Sequence, residues 1–292
     1  MLSNFKGMEF DVPMSLHTTF RVGGAADFFY EPQDTESLKA VLEMARNENI
    51  PVTVIGNGSN LLVLDGGIRG LVVKLGKKFS RIDVDGVNIT AESGALMSQV
   101  AMRAYDAGLG GLEFAQGIPG TIGGGLYMNA GAYGGELKDV VVEAEYIDGD
   151  EIKTISKEDM MLGYRKSIFS RNNFVITSVR MKLYEDNKET IFAKITDLKN
   201  RRVEKQPLEF ASAGSTFKRP EGHFAGALIE QAGLKGKRIG AAEVSEKHAG
   251  FVINRGGATA AEIMELIEYV KDTVYKSSGV ILEPEVRIIG EK

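Results

Sequence analysis

The chain has 292 residues and a formal net charge of −5, with 35 lysines and arginines against 40 aspartates and glutamates. This acidic balance argues against a broad nucleic-acid-binding surface, which needs clustered positive charge, but it allows a local basic pocket for a phosphorylated small molecule. There is no cysteine, which excludes disulfides and thiolate chemistry. Because the three histidines also lie far apart in the sequence, we expect no metal site.

The length predicts two or three domains at roughly 150 residues per domain. No apolar run approaches the ~18 residues of a membrane span. The N-terminal residues 1–9 lack the apolar core of a signal peptide. We therefore expect a cytoplasmic protein without a membrane partner.

The first part of the chain mixes strand and helix patterns. Apolar residues at i, i+3, i+4 and i+7 predict helices, and runs of β-branched residues predict strands. The patterns predict a short strand running into a glycine turn at 18–27, helices at 36–49 and 96–107, and strands at 51–55, 61–64 and 71–73. Gly108 stands where a glycine commonly ends a helix.

The second part continues this mixture. It predicts a hairpin of strands 140–148 and 151–155 with a turn signal at Asp148-Gly149, a strand at 174–183, helices at 189–202 and 260–276, a loop at 205–238 and a last strand at 280–289. The polar segment 185–188 is a plausible domain boundary. Because the elements lack a regular βαβ period, we predict an α+β fold.

Residues 117–135 contain eight glycines. Interior glycines cost roughly 0.5–1 kcal/mol each in a helix or strand, so we expect no ordinary helix or strand here. A flexible linker would be polar, whereas this stretch carries apolar side chains such as Ile122 and Leu126. It is typical of an ordered loop that holds a ligand.

Residues 56–60, Gly-Asn-Gly-Ser-Asn, follow a predicted strand. They are not a dinucleotide fingerprint, because residue 61 is leucine and a strand follows where that motif needs a helix. Two interpretations stay open. The loop is either a nest of backbone N–H groups for phosphate, with Ser59 and Asn60 as further donors, or a plain turn.

Three further motifs carry chemically useful side chains. Arg165 lies between apolar flanks and either recognises a carboxylate or is a solvated surface residue. Ser215 lies near Lys218 and Arg219 without a nucleophile elbow, which favours a hydroxyl that donates a proton over a nucleophile. Strand alternation puts Glu285 on a polar face that either meets solvent or holds a carboxylate at a site.

These motifs occur together and in one order. The segments are 18–24, 56–62, 117–134, 163–167, 214–220 and 282–287. In this order they resemble the UDP-N-acetylenolpyruvoylglucosamine reductases, the flavoenzymes of peptidoglycan precursor synthesis, over nearly the whole chain. The combination of Met-Asn-Ala-Gly-Ala-Tyr, Gly-Ser-Thr-Phe-Lys and Leu-Glu-Pro-Glu-Val-Arg is highly specific.

The resemblance implies an FAD-binding domain of the vanillyl-alcohol-oxidase (PCMH) type in two α+β subdomains, residues 1–68 and 69–184. A substrate-binding α+β domain would follow at 185–292. The cofactor-binding residues that it implies are Arg21, Gly56, Asn57, Gly58, Ser59, Asn60, Leu61, Gly117, Pro119, Gly120, Gly123, Gly124, Asn129, Ala130 and Gly131.

The implied reaction moves a hydride from NADPH to FAD and then to C3 of the enolpyruvyl group of a UDP-sugar. Arg165 would stabilise the enolate-like charge, Glu285 in its protonated form would donate a hydrogen bond to the same oxygens, and Ser215 would protonate C2. The implied substrate-binding residues are Tyr164, Lys205, Lys218 and Arg219. The spacing alone makes Lys218 a candidate for the cation that assists Ser215.

Arg219 replaces an asparagine found in part of the family, so the role of that asparagine cannot be carried over. The chain also resembles the shorter form that lacks an extra substrate loop. The alternatives are an FAD-linked oxidase of the same fold and a non-catalytic nucleotide-binding protein. Because residues 56–62 and 117–135 contain neither histidine nor cysteine, we expect noncovalent FAD. We also expect a monomer.

Overall fold

The structure, a computed structural model, describes all residues from Met1 to Lys292. Its six α-helices are α1 (Thr35–Asn47), α2 (Met97–Asp106), α3 (Ile122–Met128), α4 (Lys188–Lys205), α5 (Ala225–Gln231) and α6 (Ala260–Ser278). Its eighteen strands are β1 (Glu9–Pro13), β2 (Ala25–Tyr30), β3 (Val52–Ile55), β4 (Leu61–Val63), β5 (Ile68–Lys74), β6 (Ile82–Asp85), β7 (Asn88–Glu92), β8 (Leu109–Gly110), β9 (Gly131–Ala132), β10 (Gly135–Glu136), β11 (Val141–Asp148), β12 (Glu151–Ser156), β13 (Val175–Lys182), β14 (Tyr184–Glu185), β15 (Arg238–Ile239), β16 (Ala242–Val244), β17 (Val252–Asn254) and β18 (Arg287–Ile289). The predicted α+β class is confirmed.

The chain folds into two compact units, each built from three segments. Unit 1 comprises Met1–Glu9, Phe29–Asn57 and Leu71–Arg202, and unit 2 comprises Phe10–Phe28, Gly58–Gly70 and Val203–Lys292. The domain boundaries expected from the sequence divide the chain by what each part binds, FAD or substrate, and they stay a prediction.

Unit 1 contains an antiparallel sheet in the order β12-β11-β13-β7-β6. Helices α2 and α3 contribute buried apolar residues to the same core. The predicted hairpin is confirmed, because β11 and β12 pair through Asp148 and Glu151 and Gly149 adopts φ +62°. Strand β3 pairs in parallel with β5, with Val52 opposite Leu71.

Unit 2 is organised around helix α6 and the antiparallel sheet β15-β16-β17. The predicted apolar face of α6 is confirmed, since its core residues are fully buried: Ile263, Leu266, Ile267, Val270 and Val274. Gly279 ends the helix in a left-handed conformation at φ +72°, as the sequence predicts.

The start of α6 is capped by a residue that is remote in the sequence. Asp65 accepts hydrogen bonds from the backbone N–H groups of Ala260 and Ala261, each at 2.9 Å. We expect Asp65→Ala to lower the free energy of unfolding by about 1–2 kcal/mol, because two helix-terminal donors lose their acceptor. Urea unfolding measures this. The control is Asp272→Ala on the exposed side of α6, and an equal loss in both variants would contradict the capping role.

Two predicted elements need correction. At 18–27 the strand follows the glycines instead of preceding them, because Arg21 at φ +57° and Gly23 at φ +121° break the extended chain before β2 begins. The predicted loop at 205–238 contains α5 and the start of β15. Helix α5 has its own apolar spacing at Ala225, Leu228 and Ile229, but it is too short to give a clear periodic signal.

The last predicted strand is only partly correct. Ladder pairing is confined to β18, which lies in parallel against β4. Before β18, Pro284 forms an isolated antiparallel bridge with Phe217, and a bend at Val286 separates this bridge from the strand. The predicted alternation is nevertheless confirmed, since Leu282 and Val286 are buried and Glu283 is exposed.

No helix is both long and apolar enough to cross a membrane, and no cluster of acidic residues and histidines has the form of a metal site.

Candidate active site

The glycine stretch of unit 1 contains helix α3 and the short strand β9, so the expectation that it forms no ordinary helix or strand is wrong. Two of the three glycines in α3, Gly123 and Gly125, are required by packing. A Cβ on Gly123 would lie 2.6 Å from Ser93 Cβ, and a Cβ on Gly125 would lie 2.8 Å from Met97 Sδ. The helix begins at the N-cap Thr121, whose hydroxyl accepts from the N–H of Gly124 at 3.3 Å. Close approach to neighbouring elements therefore outweighs the entropic cost of the glycines.

The first part of the 56–60 loop lies on the start of α3. A Cβ on Gly56 would lie 2.3 Å from Thr121 Oγ1. Asn57 Nδ2 donates to the carbonyl of Pro119 at 2.6 Å. Unit 1 thus brings Gly56 and Asn57 together with Pro119 from the list of expected cofactor residues.

Arg165 lies in a tight turn with a strained backbone. Gly163 and Lys166 exchange both backbone hydrogen bonds, at 3.1 and 3.2 Å. Between them, Arg165 adopts φ +52°, and its guanidinium carbon lies 5.1 Å from the ring centre of the exposed Tyr164. A left-handed conformation costs a non-glycine residue about 1–2 kcal/mol, so an arginine at this position is a candidate functional residue.

Arg202, at the end of unit 1, is a residue that the sequence reasoning missed. A Cβ on Gly117 would lie 2.5 Å from its Nη1, and its Nε is buried without a hydrogen-bond partner. Burial lowers the pKa of the guanidinium, against the opposing effect of a hydrogen bond with Tyr133. An arginine that stays charged with a buried unpaired donor fits an anionic group of a ligand. The signal in the sequence was the pair Arg201-Arg202 just before Lys205.

In unit 2, the Ser215 and Glu285 segments lie side by side. Lys218 N–H donates to Glu283 O, and Glu285 N–H donates to Thr216 O, each at 2.8 Å. This pairing brings together two of the three expected catalytic residues. Ser215 is exposed and Glu285 is partly exposed. Lys218 Nζ is 3.0 Å from Glu283 Oε2, so its charge is already shared with a carboxylate.

The second part of the 56–60 loop lies next to Glu285 in the same unit. Asn60 Nδ2 donates to Glu285 O at 3.2 Å, and Asn60 O accepts from Arg287 N at 2.9 Å. Gly58 adopts φ +63°, and a Cβ there would lie 2.1 Å from His17 O. The backbone of this loop is therefore fixed by tertiary contacts, which a free turn would lack.

The remaining expected residues have different surroundings. Arg219 lies over the ring of the exposed Phe224, with 4.0 Å between its guanidinium carbon and the ring centre. Lys205 is exposed at the last position of α4. The side chain of Asn129 is fully buried and bonded to protein groups, although it was expected to bind the cofactor.

Two family models match the chain. One is described as the C-terminal domain of UDP-N-acetylenolpyruvoylglucosamine reductase and matches residues 206–289. The other is described as an FAD binding domain and matches residues 26–154.

The chain is also similar to curated proteins named UDP-N-acetylenolpyruvoylglucosamine reductase. It is 51% identical to the protein of Agathobacter rectalis, over 98% of this chain and 95% of that one. It is 51% identical to the protein of Clostridioides difficile, over 96% and 93%. Among solved structures, the reductase of Thermus caldophilus is 36% identical and superposes with a TM-score of 0.85, over 96% of this chain and 99% of that one. The expected FAD-binding fold is thereby confirmed.

The residues of unit 1 fit a bound flavin nucleotide. Gly124 is exposed, and a Cβ there would meet only Thr121 Oγ1, at 3.5 Å. Protein packing therefore does not require a glycine at this helical position, whereas a ligand lying against the backbone would. The unpaired Nε of Arg202 beside Gly117 offers a donor for an anionic group on the same stretch.

Proposed function

The chain belongs to the UDP-N-acetylenolpyruvoylglucosamine reductase family, and from that membership we propose a specific set of residue roles for its reaction. The enzyme reduces the enolpyruvyl ether of UDP-N-acetylglucosamine-enolpyruvate to the lactyl ether of UDP-N-acetylmuramate, in peptidoglycan precursor synthesis. The observation that best supports the roles is the pairing of the Ser215 and Glu285 segments in unit 2.

When bound, FAD supplies hydride transfer between NADPH and C3 of the enolpyruvyl group. In unit 1, the residues proposed to hold it are Gly56, Asn57, Gly117, Pro119, Gly120, Gly123, Gly124, Ala130 and Gly131. In unit 2 they are Arg21, Gly58, Ser59, Asn60 and Leu61. The chain has no cysteine, and none of its histidines lies in these loops, which supports noncovalent binding.

Arg165 is proposed to stabilise the negative charge that develops on the substrate carboxylate and C2. A fixed cation is effective here because preorganised charge need not reorient during the reaction. The turn supports this role, because it holds Arg165 in a strained conformation that glycine would adopt freely.

Ser215 is proposed to deliver the proton to C2, and Glu285, in its protonated form, to donate a hydrogen bond to the substrate carboxylate. A positioned proton donor typically contributes about 10²–10⁴-fold to the rate. The exposure of Ser215 supports this role, since its hydroxyl is accessible to a substrate. The salt bridge of Lys218 with Glu283 weakens the idea that Lys218 alone activates the serine.

The substrate-binding residues proposed are Tyr164, Lys205, Lys218 and Arg219, and Arg202 is added as a residue for an anionic group. The lysines and arginines among them would bind the negatively charged diphosphate of the nucleotide. We also propose a cytoplasmic monomer with no nucleic-acid partner.

The test is anaerobic stopped-flow spectroscopy of the purified protein. We expect NADPH to reduce the bound flavin and the enolpyruvyl UDP-sugar to reoxidise it promptly without oxygen. A flavin that is reoxidised by oxygen alone would support an oxidase instead. A protein that takes up no FAD would contradict the assignment of the glycine loops.

A further inference from the structure

Asn129 ends helix α3 in a left-handed conformation, at φ 44° and ψ 58°. Its backbone N–H closes the helix on Gly125 O and Leu126 O. Asparagine tolerates this conformation better than most residues, but glycine would tolerate it more easily. The side chain is fully buried, so its amide must be paired within the protein.

The amide of Asn129 uses both of its hydrogens and its oxygen on protein groups. Nδ2 donates to Gly163 O at 3.1 Å and to Glu136 Oε2 at 2.5 Å. Oδ1 accepts from the N–H of Lys138 at 2.9 Å. A hydrogen bond from Nδ2 to another molecule would therefore break at least one buried hydrogen bond.

One of these partners belongs to the Arg165 turn. Gly163 opens the turn, and its carbonyl is held by Asn129. On the other side, Ser167 Oγ donates to Tyr127 O at 2.7 Å. The end of α3 is therefore hydrogen-bonded to the chain on both sides of the strained Arg165.

We propose that Asn129 is a positioning residue that acts through Arg165, by fixing the turn that carries the guanidinium on the end of α3. The proposal rests on the catalytic role proposed above for Arg165. A turn with a left-handed arginine relaxes readily unless its flanks are held. Misplacement of a catalytic group by about 1 Å can cost about 10²-fold in rate.

The main test uses Asn129→Gly, since glycine keeps the left-handed helix end and removes the side chain with its three hydrogen bonds. We expect flavin reoxidation by the UDP-sugar to slow by about 10- to 100-fold, through kcat more than KM, with the Kd for FAD nearly unchanged. The matched control is Glu136→Gln, which keeps an acceptor for Asn129 and should behave like the wild type.

A double-mutant cycle separates positioning from other roles. In an Arg165→Ala background, Asn129→Gly should add less than about threefold, because the group that it positions is gone. Equal slowing in both backgrounds, or a large rise in the Kd for FAD, would overturn the proposal. A wild-type enzyme that the UDP-sugar fails to reoxidise would instead contradict the proposed function.

A second variant remains informative should the glycine variant fail to fold. Asn129→Asp keeps the acceptor for Lys138 and loses the donors. Protonation restores one donor, and burial beside Glu136 raises the pKa of such a carboxyl. We expect its reoxidation rate, relative to the wild type at the same pH, to recover as the pH falls. A ratio that does not change with pH would contradict the proposal.

Discussion

Ser215→Ala is expected to slow reoxidation of the reduced flavin by the UDP-sugar by about 10²-fold or more. FAD content and reduction by NADPH should be normal, because neither step requires a proton donor to C2. Ser215 is exposed, so its replacement leaves no cavity in the core. Single-turnover stopped-flow measurement of each half-reaction separates the two effects.

The matched control is Ser212→Ala, in the same segment of unit 2. The contact there uses the backbone of the residue, since Ser212 O accepts from Thr19 Oγ1 at 2.6 Å. Its substitution should leave both half-reactions unchanged. Unchanged substrate reduction in Ser215→Ala would remove Ser215 as the proton donor.

Two adjacent glycines of α3 should respond to alanine in opposite ways. Gly123→Ala would force a Cβ to 2.6 Å from both Cβ and Oγ of the buried Ser93, and overpacking of this kind costs about 1–3 kcal/mol. Gly124→Ala meets only ordinary contact, and alanine is favoured over glycine in helices by about 0.5–1 kcal/mol. The apoprotein should therefore lose stability in the first variant and gain some in the second.

The response to FAD distinguishes packing from binding. Gly124→Ala should bind FAD about tenfold more weakly or worse, because the added methyl occupies the surface proposed for the ligand. Urea unfolding of the apoprotein and fluorescence titration with FAD measure the two quantities independently. Normal FAD affinity in Gly124→Ala would show that no cofactor lies against this position.

Local signals predicted much of the fold. Helix α6 could be predicted because its apolar spacing ends where Gly279 provides a helix-ending residue. The β11–β12 hairpin could be predicted because Asp148-Gly149 specifies its turn. Helix α3 could not be predicted, since Gly123 and Gly125 are required by contacts with Ser93 and Met97, which no local pattern contains. Propensity was outweighed there by tertiary packing.

The candidate site shows the same limit. Motifs identified Arg165, Ser215 and Glu285 one at a time, but the pairing that brings the last two together joins segments more than sixty residues apart. The resemblance implied that Asn129 binds the cofactor, and the structure shows in addition that its amide is bonded to Gly163 and Glu136. Sequence spacing indicates which residues are close along the chain, but not where a buried amide finds its partners.

Unit 2 is built from three separate segments of the chain, which affects how it folds during synthesis on the ribosome. Its core combines Phe20, Val22 and Leu62 with residues from the end of the chain, such as Leu282 and Val286. Asn254 Nδ2 also donates to Phe20 O, a contact that spans 234 residues. The apolar side chains of the early segments therefore stay unburied until Leu282 and Val286 have been synthesised, so this unit cannot complete its core earlier and depends on its remote N-terminal segments.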